Sequence, residues 1–232
     1  CFGQYTKLYE FKTDTNGMAS NGMNEYDHFI PIDSYLYGTT MLGGINGKGV
    51  LFKIKKDGTD YTKLYDFENP IIRGGVLSVL NSSYFYGIAI TNDTSSDGAS
   101  VLFKIKTDGT GYTVLHTFVY YPSNLSTDGT FLYGIMTEKG ANNLGFIFKI
   151  RTDGTDYSEF FNFTNITGGN PTASLVFDST FFYGYTTRKG TNGFGTIFRI
   201  RPDGTQFEKL HDFEGHYPGI APLTLDGAFL YG

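Results

Sequence analysis

One phrase occurs four times in this chain, and it limits the folds open to it. Phe-Lys-Ile-Lys-Lys-Asp-Gly-Thr-Asp-Tyr-Thr-Lys-Leu-Tyr-Asp-Phe fills residues 52–67 and returns, varied, at 103–118, 148–163 and 198–213. A second phrase, Phe or Leu followed by Tyr-Gly, ends at Gly38, Gly87, Gly134, Gly184 and Gly232, at intervals of 47 to 50 residues. A fixed period near fifty is the signature of a repeat architecture, in which each unit hides its apolar face against its neighbours. A residue type present in every repeat is explained more simply as scaffold than as chemistry.

The period resolves into four strands. In residues 172–213, residues 173–178 are apolar and extended, and Asp178-Ser179-Thr180 turns the chain. Residues 181–187 form an aromatic second strand, and the polar, glycine-rich residues 188–195 form a loop. Residues 196–201 alternate, with Ile197, Arg199 and Arg201 on one side and Phe198 and Ile200 on the other. That period of two marks a strand. Asp203-Gly204 is a hairpin signal, because glycine accepts the positive φ such turns need. Residues 207–213 are the fourth strand, and no useful stretch has helical periodicity.

Four antiparallel strands per fifty residues predict a β-propeller blade, since twisted sheets prefer to close radially. The blades are expected at about 28–67, 74–118, 122–163 and 172–213, within a single all-β domain spanning residues 1–232. Residues 5–11 match a fourth strand, and residues 221–232 match a first and second strand. The expectation is therefore five visible blades, the last shared between the two ends and lacking its third strand. An unpaired edge of this kind is normally covered. We expect the natural chain to continue past Gly232, by about twenty residues given the period, or a neighbouring molecule to donate the strand.

Composition narrows the function classes. The 232 residues carry 18 basic and 23 acidic side chains, a balance that speaks against nucleic acid as the main partner. No apolar run is long enough to predict a transmembrane segment. The 22 Phe, 18 Tyr and 31 Gly, with no Trp, suit an all-β chain with many turns. The single cysteine excludes an internal disulfide framework. Because the chain opens on Cys1 and not on Met, it is read as a processed product or a fragment. Cys1 is then a candidate lipidation site of an exported protein.

Several phrases resemble a known family. They are Asp-Gly-Thr-Gly-Tyr-Thr-Val-Leu-His-Thr-Phe at residues 108–118, and Leu-Tyr-Gly-Thr-Thr-Met-Leu-Gly-Gly at 36–44 followed by Gly-Val-Leu-Phe-Lys-Ile at 49–54. Together they resemble the GloVer-type tandem repeat of large exported bacterial proteins, and the strand order is similar to that of NHL-type propellers. The resemblance implies a cell-surface or secreted protein without an assigned activity. The family's Gly-Gly, Asp-Gly-Ala and Pro run between fourth and first strands survives here as Gly168-Gly169-Asn170-Pro171.

Candidate sites follow from the pattern. Asp57, Asp108, Asp153 and Asp203 precede glycines. Calcium needs six to eight oxygens converging on one point, so one Asp per repeat reads as a turn residue. The loops between second and third strands share Gly-x-Asn-x-x-Gly, which places Asn46, Asn142 and Asn192 in equivalent positions. Such loops tolerate left-handed backbone; the functional reading is a ring of ligand-binding amides. Those loops share a face with the fourth-to-first connections and with the insert at residues 12–26, and loops are where binding concentrates. Lys53, Lys55, Lys104, Lys106, Lys149, Arg151, Arg199 and Arg201 line the third strands. Cross-strand ion pairs to Glu10, Asp66, Glu159 and Asp212 are the plain account of them; a basic stripe for acidic glycans is the sharper one. Asn81, Asn92, Asn124, Asn162 and Asn165 head glycosylation sequons. His28, His116, His211 and His216 have no metal-ligand spacing, and His116 and His211 share a position with Tyr65 and Phe161, which predicts packing. With no P-loop, dinucleotide or nucleophile motif, neither a cofactor nor catalytic residues are expected.

The leading expectation is a non-enzymatic repeat scaffold, extracellular or displayed at a cell surface and able to assemble with copies of itself. A glycan-binding, lectin-like module using the long-loop face is the alternative, and a hydrolase or lyase ranks third.

Overall fold

The computed structural model describes residues 7–10, 29–40, 42–68, 78–80, 83–90, 99–216, 218 and 223–232, without the side chains of 78–80, 124, 173 and 174. Cys1, Tyr5, His28, Asn81, Asn92 and the insert at 12–26 lie outside the described residues. Described residues form strands and turns and no helix. The chain divides into two compact units, residues 1–119 and 120–232.

The first unit holds two four-stranded antiparallel sheets. One is β1 (Ile30–Ile32), β2 (Tyr35–Thr39), β3 (Val50–Lys55) and β4 (Thr62–Asp66). The next is β5 (Ser78–Leu80), β6 (Tyr84–Ile90), β7 (Ser100–Lys106) and β8 (Thr113–Phe118). The second unit repeats this with β9 (Ser123–Thr127), β10 (Phe131–Met136), β11 (Phe146–Arg151) and β12 (Ser158–Asn162). Its second sheet is β13 (Gly169–Phe177), β14 (Phe182–Arg188), β15 (Thr196–Ile200) and β16 (Glu208–Asp212). A hairpin of β17 (Thr224–Asp226) and β18 (Phe229–Tyr231) follows. Strands pair in sequence order within each sheet, the arrangement expected of a blade. One boundary differs. β13 begins at Gly169, so most of the Gly-Gly-Asn-Pro run read as a connection belongs to the first strand. The strand absorbs it through an irregular register between Thr172 and Val176.

The two recurring phrases are complementary halves of one seam. Gly38, Gly87, Gly134 and Gly184 lie directly opposite Phe52, Phe103, Phe148 and Phe198. A Cβ on those glycines would stand 3.0, 2.5, 2.3 and 2.6 Å from the facing ring. All four rings are fully buried. The Tyr-Gly phrase therefore exists to make room for the Phe of the next strand.

The Asp-Gly-Thr turns are built alike. Oδ1 of Asp57 accepts the Thr59 amide at 2.9 Å and its hydroxyl at 2.6 Å, and Asp108, Asp153 and Asp203 do the same. These bonds hold each carboxyl below its ordinary range, the threonine hydroxyl contributing most. All four are turn residues.

The same hairpin locks one repeat to the one before it. Every fourth strand carries a bulge where it pairs with the third, at Leu64, Leu115, Phe160 and Leu210. A Cβ on Gly109 would stand 2.3 Å from the Leu64 carbonyl oxygen, and one on Gly204 2.9 Å from the Phe160 ring. Beside each contact Tyr112 stacks on Tyr65 (5.1 Å, 10°) and Phe207 on Phe161 (4.5 Å, 9°). Gly58 and Tyr61 meet Leu8 and Tyr9 in the same way, with a stack at 4.8 Å and 10°. Residues 7–10, which form no strand themselves, thus meet the hairpin of the first sheet as β4 and β12 meet the hairpins that follow them. Burial pushes the Tyr61 and Tyr112 phenols up to about 12.

Candidate functional site

One concave surface of the second unit lies on the loop face singled out from the sequence. It is an open cleft of about 550 Å³ lined by Asn142, Leu144, Thr164, Asn165, Ile166 and Lys189. Three segments build it. Residues 137–145 join β10 to β11, residues 189–195 join β14 to β15, and residues 163–168 connect the two sheets.

Each segment is fixed by its own hydrogen bonds. In the first loop Gly145 N donates to Lys139 O at 3.0 Å. Ala141 N donates to Asn162 Oδ1 at 2.9 Å, and Asn142 Nδ2 to Phe163 O at 2.8 Å. In the second loop Gly195 N donates to Lys189 O at 2.8 Å, and Thr191 N to Asp212 Oδ1 at 2.7 Å. Burial pulls the Asp212 carboxyl up, but Lys209 and the Thr191 amide and hydroxyl outweigh it and hold the group below its ordinary range. The connection closes on itself, Thr164 N donating to Thr167 Oγ1 at 2.8 Å. It is then tied to both loops, through Gly190 N to Asn165 O at 3.0 Å and Asn170 N to Leu144 O at 2.9 Å.

The glycine run explains how the connection sits so close. Gly168 has φ +106, and a Cβ there would stand 2.2 Å from Thr186 Oγ1 and 2.8 Å from Thr196 Oγ1. Thr196 in turn donates its hydroxyl to Thr167 O at 3.0 Å. The walls of the cleft are therefore rigid backbone. Its chemistry is two amides, one hydroxyl, one ammonium and two aliphatic side chains, with Ile166 76% exposed at the rim. Such a lining suits a polar ligand that presents hydrogen-bonding groups and a negative charge to one apolar edge.

Of the three amides singled out by sequence, Asn142 lines this cleft; Asn192 is exposed in the neighbouring loop and is not among the lining residues. Asn46, in the first unit, donates Nδ2 to Phe67 O at 3.1 Å, the bond that Asn142 makes to Phe163 O. Each amide nitrogen closes its loop onto the end of a fourth strand. Lys189, Thr164 and Ile166 escaped sequence reasoning. The signal for Lys189 was its equivalence to Lys139, as both precede the loop glycine with positive φ.

Among the sequons, Asn165 is exposed at the cleft, whereas Asn162 uses Oδ1 to cap a loop. Asn124 lies on β9, and the Ser126 hydroxyl of its sequon donates to Leu175 O at 2.5 Å. His116 and His211 meet Phe118 and Phe213 edge-on, as Tyr65 meets Phe67 and Phe161 meets Phe163. Burial lowers the His116 pKa. Among the described residues no group of three or more His, Cys, Asp or Glu is placed to hold a metal ion.

The third-strand cations behave differently from expectation. Lys53, Lys104, Lys149 and Arg199 lie over Tyr35, Tyr84, Phe131 and Phe181, at 4.7, 5.6, 5.3 and 4.6 Å. Ion pairs join Lys55 to Asp60, Arg151 to Asp156 and Arg199 to Glu208. Asp66, Asp212 and Glu10 pair instead with Lys63, Lys209 and Lys7 of their own segments. The reason is geometric, because Asp66 and Asp212 point at the loop amides they cap.

Comparison with known proteins agrees with this repeat geometry. No curated protein matches the chain. Among solved structures, an oligogalacturonate lyase from Vibrio parahaemolyticus is similar with a TM-score of 0.60 at 12% identity, over 84% of this chain and 53% of that one. An oligogalacturonate lyase in complex with manganese is similar with a TM-score of 0.58 at 12% identity, over 85% and 54%. A putative TolB from Agrobacterium tumefaciens is similar with a TM-score of 0.55 at 17% identity, over 85% and 66%. The chain spans about half the length of the two lyases, and at these identities the likeness is one of fold: an all-β, propeller-like repeat. A family model described as the Gloeobacter/Verrucomicrobia repeat matches residues 120–232, and the two phrases of that segment recur in residues 1–119, so the chain is similar to the repeats of that family.

Proposed function

We propose that the chain is a non-enzymatic repeat scaffold of an exported or cell-surface protein, one that assembles with copies of itself. In this reading the four sheets are blades of a closed ring, and residues 7–10 share a fifth blade with the hairpin β17–β18. One observation carries it. At each of the three described junctions, before the first, second and fourth sheets, a hairpin glycine and an aromatic ring fasten a sheet to its predecessor. The recurring residues are thus used in holding strand to strand and repeat to repeat. Light scattering across a dilution series tests assembly, and a strict monomer at the highest concentration overturns it. A radius of gyration of about 17 Å is expected for a compact chain of this length; a markedly larger value overturns the ring. Protease shaving of intact source cells tests display.

The cleft favours a second reading, a lectin-like module. Lys189, Asn142, Asn165 and the Ile166 edge suit a glycan bearing a carboxylate, the kind of sugar named in the oligogalacturonate lyases of similar fold. A glycan array with acidic oligosaccharides tests it, and an array without hits overturns it. A hydrolase or lyase ranks third; release of unsaturated oligogalacturonate products from that substrate would support it.

A further inference from the structure

Four Asn-Gly pairs occur in the chain, at residues 16, 21, 46 and 192, and the last two stand at the same position of two equivalent loops. An asparagine before glycine is open to attack by its own backbone, because the glycine brings no Cβ to hinder the approach of its amide nitrogen to the side-chain carbonyl. The pairs at 16 and 21 lie outside the described residues.

Both equivalent loops end on a fourth strand in the same way. Phe67 N donates to Gly49 O and Phe213 N to Gly195 O, each at 3.0 Å. Within that shared frame the two pairs differ at both reacting groups. In the first loop Asn46 Nδ2 donates to Phe67 O at 3.1 Å, and Gly47 N donates to Gly44 O at 3.2 Å. The loop between β10 and β11 repeats both bonds, with Asn142 Nδ2 to Phe163 O at 2.8 Å and Asn143 N to Gly140 O at 3.3 Å. In the loop between β14 and β15 neither forms: among the described residues the Asn192 side chain has no partner, and nor has Gly193 N. That loop is held by its neighbours instead. Thr191 Oγ1 donates to Asp212 Oδ2 at 3.1 Å and accepts from Lys209 Nζ at 2.7 Å, and Lys189 N donates to Gly193 O at 3.2 Å. Asn192 and Gly193 are both exposed, and a Cβ on Gly193 would meet nothing within 4 Å.

We infer that Asn192-Gly193 is a site of spontaneous deamidation, at which the folded chain modifies the loop that carries Lys189. Gly193 N gives up its proton and attacks Asn192 Cγ. The N–Cγ bond forms, the Cγ–Nδ2 bond breaks, and the amide group leaves as ammonia with that proton. Water then opens the cyclic imide at either carbonyl, leaving an aspartate or an isoaspartate. Either product adds a carboxylate to the loop of Lys189, the one ammonium of the cleft lining. The isoaspartate also lengthens the main chain by a methylene inside the turn that Lys189 N and Gly193 O close. The site depends on neither reading of the function.

The test incubates the whole chain at mildly alkaline pH over weeks and maps its tryptic peptides by mass, with fragment ions assigning each converted residue. Residues 190–199 form a tryptic peptide of their own. Asn192 should convert about tenfold faster than Asn46, a ratio of about 1.4 kcal/mol that hydrogen bonds to the two reacting groups supply. In urea, with both loops unfolded, the two rates should come together. Isoaspartyl methyltransferase should label the 190–199 peptide of the aged chain, and Asn192→Gln should remove that label. No conversion at Asn192, or conversion of Asn46 at the same rate in the folded chain, overturns the site. So does a ratio that persists in urea, since the flanking residues and not the fold would then select it.

Discussion

The seam between second and third strands and the loop face above it follow different rules. At the seam all four sheets use one solution, a glycine under a phenylalanine ring, in the same register. On the loop face the plan is shared but the side chains are not. The loop-capping residue is Asp66, Asn162 or Asp212, and the amide it receives belongs to Ile45, Ala141 or Thr191. A fully buried ring can be accommodated in few ways, because interiors are packed like crystals. A solvent-facing loop needs only its backbone shape kept. Individuality in this molecule therefore collects on the loop face.

The largest expected effect comes from breaking the seam. Phe198→Ala should destabilise by about 3–5 kcal/mol, the range for deleting a buried ring, read from a denaturation midpoint. Gly184→Ala should cost about 1–3 kcal/mol by overpacking, since its Cβ would stand 2.6 Å from that ring. In a Phe198→Leu background the glycine substitution should lose part of its effect, and strict additivity would break the pairing. The junction ranks next. Gly109 has φ +86, and a Cβ there meets the Leu64 carbonyl oxygen at 2.3 Å. Backbone strain alone makes Gly109→Ala cost about 1–3 kcal/mol. The contrast is Gly129, also at positive φ but with nothing near its Cβ position; Gly129→Ala should cost less.

What was legible in the sequence sorts along the same line. Strand positions, the Asp-Gly-Thr turns and the hairpin at 224–231 could be read, because each depends on local periodicity or turn chemistry. The bulge at Leu64 and its equivalents could not, although Gly109 and Gly204 rest on two of them. A bulge is a mismatch between two strands and leaves no mark in either one. The partners of the third-strand cations were misjudged for a related reason. Lys53 and Arg199 alternate correctly, but whether such a side chain meets a carboxylate or a ring depends on which residue stands opposite. The register places Tyr37 and Tyr183 across from them and turns their charges over Tyr35 and Phe181. The loop face was identified, whereas Lys189 and Thr164 were not, since the cleft arises from two loops and a connection far apart in sequence.

Between seam and loops lies the turn that joins first and second strands. Asp128 accepts the Thr130 and Phe131 amides at 2.8 Å each and the Tyr133 hydroxyl at 2.7 Å, and Tyr133 is 1% exposed. Burial pulls this carboxyl up, but the three donors outweigh it and leave its pKa below the ordinary value. A depressed folded pKa contributes stability that is present above the unfolded value, about 3.9, and is lost as pH falls through the folded one. Asp128→Ala should therefore cost about 1–2 kcal/mol at neutral pH by stranding buried donors. Its deficit against the parent should shrink in thermal melts below about pH 4. A deficit that stays constant down to pH 2 would mean that the carboxylate charge does not hold the turn.

The smallest expected effect on stability is at the loop face itself, and there it is the informative one. Lys189 lines the cleft with a side chain that neither the seam nor the junction requires. Lys189→Ala should leave the denaturation midpoint within about 0.5 kcal/mol of the parent, as surface substitutions do, while Gly168→Ala should lower it, because its Cβ would strike two threonine hydroxyls. The two substitutions bear on neighbouring parts of one cleft, yet one tests the walls and the other the lining. If acidic oligosaccharides bind, Lys189→Ala should weaken them and not neutral ones. If instead it destabilises the chain as strongly as Gly168→Ala, the loop face is held by side chains as the seam is, and the distinction between the two regions fails.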